Sequence, residues 1–192
     1  LEFRRVLFRS TIDASSAIFG DLDVMTEASA IAEAVDQLVP DREPVGAIFR
    51  MLVGARRTLV ERPSPLVVPA FLWRLLAVEG VQPTVDRCVG CGEEPTSASP
   101  LVAIDLERGG AQCRSCRTGA SVSDAALDVL RGIAGGRLSE LLDRVHVPDG
   151  QNLGDPVVNE VASLSTRAFE FHVERRLRSV AIFERHDSLR EP

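Results

Sequence analysis

Hydrophobic residues in the first half of the chain recur with the three- and four-residue spacing of amphipathic helices, separated by proline-containing breaks. The pattern that starts after Asp21 predicts a helix that Asp23 caps and that ends at residues 39–41. A second helix is expected from Pro44, which suits a first-turn position. Its amphipathic face is predicted to follow Val45, Ile48, Phe49, Leu52, Val53, Arg56 and Leu59.

A third segment is apolar on almost every side, unlike the two before it. A helix is predicted here from Pro69 to Glu79, followed directly by a glycine that ends it. Since a helix without a polar face must be surrounded by protein, we expect it at the centre of the fold. Phe71 and Trp73 are expected in the core, although an aromatic helix that also carries Arg74 is compatible with the border of a peptide-binding groove.

Helical patterns return in the last third of the chain. Ser123 is a good N-cap for a fourth helix, over residues 126–133, which a Gly-Gly pair ends. Residues 138–145 predict a short helix, and a polar loop leads from it to a long last helix, from Pro156 to about Phe183. The core side of that helix is predicted to carry Val157, Val161, Leu164, Ala168 and Phe171, and Val158, Phe169, Val173, Leu177 and Val180 are expected to widen this stripe.

The segment without a helical pattern contains all four cysteines, as two Cys-x-x-Cys pairs with 21 residues between them. Two such tight turns supply the four thiolates of a tetrahedral zinc ion. Residues 101–106 predict a strand, and residues 108–110 predict the glycine turn of a hairpin. The sequence therefore predicts a zinc ribbon with a structural Zn²⁺, whose ligands are Cys88, Cys91, Cys113 and Cys116.

Paired cysteines also occur in chemistry other than a zinc ribbon. Two pairs of buried thiols in an ordinary core remain an alternative. A redox-active pair is disfavoured, because thioredoxin-like chemistry places a single such pair near a βαβ unit. A catalytic zinc usually has histidine or carboxylate ligands and an open coordination position. The expected location is the cytoplasm, since no secretory signal is recognised. In a reducing compartment, paired cysteines are more often metal ligands than disulfides.

The predicted fold class is therefore mainly α, a helical bundle-like domain interrupted by a small four-cysteine zinc ribbon built on a β-hairpin. The helical domain is expected in two parts, residues 11–85 and 121–186, with the ribbon at residues 86–120 and a tail at 187–192. Residues 1–10 carry a net charge of +2 and are interpreted as a non-native scar or a linker, outside the fold.

Charge and composition disfavour some classes of protein. The chain of 192 residues has a formal net charge of −6, which disfavours a nucleic-acid binder coated in positive charge but allows a local basic face. All 22 basic residues are arginine, and residues 167–190 contain six of them with only four acids. Phosphate or an acidic peptide is the expected ligand of Arg175, Arg176, Arg178 and Arg185. The alternative is a solvated helix face whose arginines pair with Glu170 and Glu174.

Neither a membrane span nor a catalytic centre is predicted. No apolar run approaches the roughly 20 residues that a transmembrane helix needs. The three histidines, His146, His172 and His186, are scattered and no nucleophile motif accompanies them. The sequence also lacks a Walker loop and a G-x-G-x-x-G motif, so we predict that the chain is not an enzyme.

The order of these parts resembles the RecO family of DNA repair and recombination proteins. Residues 71–92 combine the apolar helix, ending Leu-Leu-Ala-Val-Glu-Gly, with Cys-x-x-Cys-Gly. Residues 109–116 read Gly-Gly-x-x-Cys-x-x-Cys, and residues 172–179 contain Glu-Arg-Arg-Leu-Arg-Ser. The resemblance spans roughly residues 21–185.

The resemblance implies a non-catalytic recombination mediator. Members of the family anneal complementary strands, bind the acidic tail of single-stranded-DNA-binding protein (SSB), and with RecR help to load RecA. The family's zinc ligands match the four cysteines, and its basic stretch matches Arg175, Arg176 and Arg178. The family's N-terminal OB-fold is not recognised in this sequence, so binding of single-stranded DNA is expected to be weakened. For the SSB tail, the helix around residues 71–76 is a candidate pocket. The alternatives are a stand-alone zinc-ribbon adaptor that binds only protein partners, and a zinc enzyme.

Overall fold

Six helices and one small sheet form the part of the chain that the computed structural model describes, which is residue 18 and residues 20–39, 46–145 and 153–179. The helices are α1 (Leu22–Leu38), α2 (Gly46–Glu61), α3 (Val67–Val78), α4 (Asp124–Ala134), α5 (Leu138–Val145) and α6 (Asp155–Val173). The strands are β1 (Leu101–Asp105), β2 (Gly110–Cys113) and β3 (Ala120–Ser121), with a short 3-10 helix, Arg114–Cys116, between β2 and β3. The predicted fold class, mainly α with a small β insertion at the cysteines, is confirmed.

Helix α3 lies at the centre of the helical body and packs against α1, α2, α4 and α6. Eight of its residues are buried, and the Trp73 side chain is completely inaccessible. The helix begins at Val67, two residues before the predicted start, because Pro69 occupies its first turn, where a backbone N–H is not needed. Gly80 follows it with a φ of 74°, as its predicted role in ending the helix requires. The expectation of a central, buried helix is confirmed.

The N-cap of α1 differs from the prediction. Asp21 has an extended backbone, and its Oδ1 accepts hydrogen bonds from the backbone N–H groups of Asp23, at 2.8 Å, and Val24, at 3.3 Å. The prediction that Asp23 caps the helix was wrong, because Asp23 already lies in the first turn. There its negative charge is stabilised by the helix dipole.

The side of helix α2 that faces the core differs from the predicted one. Ile48 and Leu59 are buried, but Phe49 is 60% exposed and Val53 is 38% exposed, so their prediction as part of the amphipathic face facing the core was wrong. The helix packs through positions 48, 51, 52, 55 and 59, and a residue one position away points about 100° to the side. Pro44 and Val45 lie outside the described residues.

Helix α6 is shorter than predicted. It ends at Val173, where Glu174 adopts a left-handed conformation with a φ of 53°, whereas the sequence predicted a helix to about Phe183. Leu177 is buried in the core from the turn that follows the helix. Phe171, predicted on the core side, is 53% exposed, so that prediction was wrong. The buried residues of the helix are Val158, Val161, Leu164, Ser165, Ala168 and Phe169.

The two remaining helices follow the sequence signals closely. Ser123 caps α4 by accepting a hydrogen bond on its side chain from the N–H of Ala126, as predicted. Helix α5 occupies residues 138–145, as predicted. The predicted polar loop after it falls mostly on residues 146–152, which lie outside the described residues. None of the helices in the described ranges has the length and apolar content that crossing a membrane requires.

The sheet is antiparallel, with strand order β2-β1-β3, and its hairpin turn lies between β1 and β2 as the glycine pattern predicts. Strand β3 has two residues and was not predicted. Gly110 at the start of β2 lies directly against the loop that leaves α3, where an added Cβ would be 2.3 Å from the Thr84 carbonyl oxygen. This close approach fixes the sheet to the end of α3 and positions the first cysteine pair beside it.

Candidate functional site

The four cysteines lie together at the end of the sheet where β1 begins and β2 ends. Cys88 and Cys91 come from the loop after α3, Cys113 ends β2, and Cys116 ends the 3-10 helix. Their sulfur atoms all lie within 4.8 Å of one another, and the Sγ atoms of Cys91 and Cys113 are 4.0 Å apart. A tetrahedral zinc ion with Zn–S bonds of about 2.3 Å has sulfurs about 3.8 Å apart. The cluster therefore fits a four-thiolate zinc site.

Backbone N–H groups point towards the sulfur of Cys88. The N–H groups of Cys113 and Gly90 lie 3.3 Å and 3.4 Å from its Sγ atom. Burial raises the pKa of this thiol, but the N–H groups of Cys113, Cys91 and Gly90 outweigh that effect and lower the pKa to about 6. The thiolate, which is the form that binds metal, is therefore favoured at neutral pH.

The protonation of a second thiol depends on the neighbouring sulfur atoms. The pKa of Cys116 is raised to about 12, because its neighbours Cys113 and Cys88 interact with its neutral thiol and disfavour a second negative charge. Four thiolates at these distances repel one another unless a divalent ion lies between them. The donor set therefore suits a metal that carries two positive charges and accepts sulfur ligands, such as zinc.

The first turn of the cluster has no space for a side chain at its second position. A Cβ atom added to Gly90 would lie 2.6 Å from the Cβ of Cys116 and 2.9 Å from its Sγ. Such contacts are closer than atoms tolerate, so glycine is required if the two cysteine pairs are to approach each other.

A buried glutamine that the sequence did not predict holds the rest of the ribbon. The side-chain oxygen of Gln112 accepts hydrogen bonds from the N–H groups of Thr118, at 2.9 Å, and Gly119, at 3.0 Å. Its nitrogen donates to the Thr118 hydroxyl at 2.8 Å. Gln112 is fully buried in β2, next to Cys113, and it connects that strand to the segment after the 3-10 helix. A glutamine inside an otherwise apolar strand was the available signal.

Two of the predicted arginines, Arg175 and Arg176, lie in the non-helical residues that follow α6, whereas Arg178 is in a helical conformation. Arg175, Arg176 and Arg178 are exposed in residues 174–178, which we call the arginine turn. Arg175 and Arg176 border a shallow depression that Arg167 and Phe171 also line. Arg185 lies outside the described residues, so the structure places three of the four predicted arginines, and two of them border this depression.

Two glutamates hold the arginine turn in place. Glu170 Oε1 accepts a hydrogen bond from the N–H of Leu177 at 2.8 Å, which fixes the turn to α6. Glu33 of α1 accepts from the N–H groups of Arg178, at 2.9 Å, and Ser179, at 2.8 Å. Burial raises the pKa of the Glu33 carboxyl, but these N–H bonds and the Ser179 hydroxyl outweigh it, so that the pKa is lowered. Glu170 therefore fixes the backbone of the turn. The alternative interpretation of the sequence had its carboxylate pair with arginine side chains.

A second depression is lined by both apolar side chains and arginines. A groove of about 410 Å³ lies between α2, α3 and the start of α5; we call it the α2–α3 groove. Arg50 and Arg74 line it, and both are exposed. The apolar residues that line it are Ala47, Met51, Ala55, Val67, Ala70, Phe71 and Leu138. Phe71 thus belongs to the core and to the border of a groove, whereas Trp73 belongs to the core alone.

The comparison with protein families decides what this architecture is. The model described as "Recombination protein O C terminal" matches residues 20–181, which include every described helix and strand except the single residue 18. The chain belongs to the RecO family. RecO family members act in DNA repair and recombination, and the four-cysteine cluster lies within the matched residues.

The chain is also similar in sequence to individual RecO proteins. The DNA repair protein RecO of Frankia casuarinae is 34% identical over 83% of the chain and 63% of its own length. That of Cutibacterium acnes is 29% identical over 89% of the chain and 68% of its length, and that of Desulforamulus reducens is 25% identical over 86% and 62%. The chain thus spans somewhat under two thirds of two of these RecO proteins.

Proposed function

We propose that the chain is the helical, zinc-binding part of a non-catalytic recombination mediator. In this role it engages SSB and single-stranded DNA and, with RecR, contributes to the loading of RecA. The observation that supports it is the RecO match over residues 20–181, with four clustered cysteines inside the match. The arrangement favours binding over catalysis, because four protein sulfurs around one metal leave no open position for a substrate.

In this proposal Cys88, Cys91, Cys113 and Cys116 hold a structural Zn²⁺. The ion supplies folding free energy to residues 86–120, which form an inserted ribbon between the two parts of the helical domain. Leu101 and Ile104 are the large apolar side chains that the described ribbon buries, so burial alone stabilises it weakly. Zinc binding of about 10–16 kcal/mol, as in small zinc modules, is sufficient to fold it.

The α2–α3 groove is the proposed site for the SSB tail, a peptide that is acidic and hydrophobic. Its apolar lining suits the hydrophobic end of such a peptide, and Arg50 and Arg74 suit its carboxylates. With a net charge of −6, the chain repels an acidic peptide over most of its surface, so local arginines determine where it binds.

A titration of the chain with an SSB-tail peptide tests this function. We expect Arg50→Gln and Arg74→Gln together to weaken peptide binding about tenfold or more, since charge-assisted hydrogen bonds are lost. Arg57→Gln is the matched control, because Arg57 lies on the same helix, outside the groove, and pairs with Glu61. Peptide binding that is undetectable, or equal in all variants, would contradict the assignment.

The alternative, a zinc-ribbon adaptor for protein partners alone, is favoured only by the acidic net charge. Binding of a single-stranded oligonucleotide at two salt concentrations separates the two functions. A mediator binds the oligonucleotide and loses affinity as salt rises, whereas an adaptor does not bind it at either concentration.

A further inference from the structure

The cleft between the sheet and the end of α6 is lined by an exposed aromatic ring with arginines beside it. We propose that this cleft binds single-stranded DNA, with Phe171 as the platform on which one base stacks and Arg167, Arg175 and Arg176 as contacts to neighbouring phosphates. The inference rests on the proposed function in one respect, the choice of DNA as the ligand. The residues and the geometry come from this chain.

The cleft, which we call the Phe171 cleft, has two connected parts. The deeper part, about 790 Å³, lies between residues 80–83, the hairpin turn and α6. The shallower part, about 380 Å³, contains the three arginines. Both parts are lined by Leu106, Glu170, Phe171 and Glu174, so the Phe171 ring stands where the apolar and the basic part meet.

Packing of the helical body does not explain the position of Phe171. The nearby Phe169 is completely buried and serves the core, whereas Phe171 is 53% exposed. Val81, across the deeper part, is 41% exposed. Single exposed apolar residues are common on protein surfaces, but an aromatic face bordered by several arginines is the arrangement that single-stranded nucleic acid uses. Its bases stack on the ring, and its phosphates contact the guanidinium groups.

The charges in the cleft favour a short contact with phosphate. Three arginines face two carboxylates, and one of these, Glu170, already accepts the N–H of Leu177. The remaining surface is acidic, so DNA contacts few phosphates beyond the cleft. Two or three phosphate contacts on a single strand predict a slope of log affinity against log salt of about −1.4 to −2.

An unpaired strand fits this cleft better than a duplex or an acidic peptide. In a duplex the faces of the bases are stacked on one another and are inaccessible to a side chain. An acidic peptide would use the arginines but gains little from a flat aromatic face. Single-stranded RNA shares the chemistry, and a DNA and an RNA oligonucleotide of equal sequence distinguish these two ligands through their relative affinities.

The experiment measures binding of a fluorescent oligothymidine to the complete 192-residue chain at several salt concentrations. Base stacking is worth about 1–3 kcal/mol, so Phe171→Ala is expected to weaken binding about 5- to 150-fold with an unchanged salt slope. Arg175→Gln is expected to reduce the slope by about 0.7. Phe49→Ala, which removes a similarly exposed ring from α2, is the control and should bind like the unmodified chain.

A second variant protects the test against misfolding. Phe171→Trp is expected to keep the affinity, and its fluorescence is expected to be quenched when single-stranded DNA binds but not when a duplex is added. Trp73 is the chain's only tryptophan and is fully buried, so its fluorescence gives a constant background.

Three results would overturn the inference. The first is equal oligonucleotide affinity of the Phe171→Ala variant and the unmodified chain, and the second is no binding of the unmodified chain at low salt. In the third, Phe171→Ala abolishes binding of the SSB-tail peptide while Arg50→Gln with Arg74→Gln leaves it intact. Peptide binding that depends on the α2–α3 groove would still support the proposed function after the first result, in which the chain binds DNA elsewhere. The second result would favour the adaptor over the proposed function as well.

Discussion

The Nε atom of Arg131 donates a hydrogen bond to the carbonyl oxygen of Val85 at 2.9 Å. Arg131 lies on α4, and Val85 is the buried residue three positions before the first cysteine of the metal cluster. Nη1 of the same guanidinium donates to Asp128 at 2.6 Å, which fixes its orientation. One side chain therefore couples the helical body to the loop that enters the cluster.

Replacing Arg131 by Met is expected to lower the free energy of unfolding by about 1–3 kcal/mol, because a buried carbonyl loses its donor. Thermal unfolding of the zinc-loaded protein measures this. Arg137→Met is the control, since Arg137 is exposed in the turn between α4 and α5 and its loss should change the midpoint little. Equal midpoints for the two variants would show that the contact does not support the fold.

Metal analysis is expected to give one zinc ion per chain, and Cys113→Ser is expected to abolish tight binding and to unfold the ribbon. Most of the helical signal in circular dichroism should remain, because the helices have their own core around α3. Ser115→Ala, a change within the same cysteine pair, serves as the control and should retain the ion. A Cys113→Ser variant that still holds one zinc with full affinity is the contrary result.

Gly90→Ala is expected to weaken zinc binding at least tenfold, because the new Cβ would collide with Cys116 unless the two cysteine pairs separate. Competition with a coloured chelator measures the affinity. Gly54→Ala is the matched control: no atom lies within 4 Å of its added Cβ, and on α2 the change should stabilise the protein by about 0.5–1 kcal/mol. Unchanged zinc affinity in Gly90→Ala would contradict the close packing of the two pairs.

Stability at alkaline pH is expected to be limited by Glu27. Burial, and then the charges of Asp23 and Asp21, raise the pKa of this carboxyl to about 7, and it lines a pocket that also contains Val68, Val158 and other apolar groups. Since the folded protein holds this proton more tightly than the unfolded chain, the contribution is complete below pH 4.5 and is lost as the pH rises through 7.

Glu27→Gln should remove this dependence and stabilise the protein at pH 8 by about 2 kcal/mol, allowing for partial screening by solvent. Urea unfolding at pH 5 and pH 8 measures the difference. Glu61→Gln, at an exposed position of α2, is expected to retain the pH profile of the unmodified chain. Identical profiles for all three proteins would show that Glu27 is ionised normally.

Elements that local chemistry determines were predictable from the sequence. The almost entirely apolar α3 had to be central, and the Ser123 side chain had to find nearby N–H groups. The spacing of the cysteine pairs indicated the cluster that the structure brings together. The N-cap of α1 was ambiguous, because Asp21 and Asp23 both have the required side chain and only the backbone conformation selects between them.

Features that depend on distant partners were not predictable. The hydrophobic spacing of α6 continues through Phe171, but at this end of the helix the core lies on the side of Ser165 and Phe169, so the Phe171 ring faces a cleft. The helix stops at Val173 because Leu177 returns to the core and Glu170 holds its N–H. Gln112 can be buried because its side-chain oxygen accepts hydrogen bonds from the N–H groups of Thr118 and Gly119, which lie outside its own strand. Such choices are made by tertiary contacts, which periodicity does not encode.

The carboxylate of Glu33 connects two segments that are 145 residues apart along the chain, α1 and the backbone of Arg178. A substitution at Glu33 can thus displace the side chains of the arginine turn, although α1 itself does not contact nucleic acid in the proposed complex. A screen for loss of DNA affinity should accordingly recover substitutions at Glu33 alongside those in the cleft. Such variants would be misread as ligand contacts unless the geometry of the turn were checked independently.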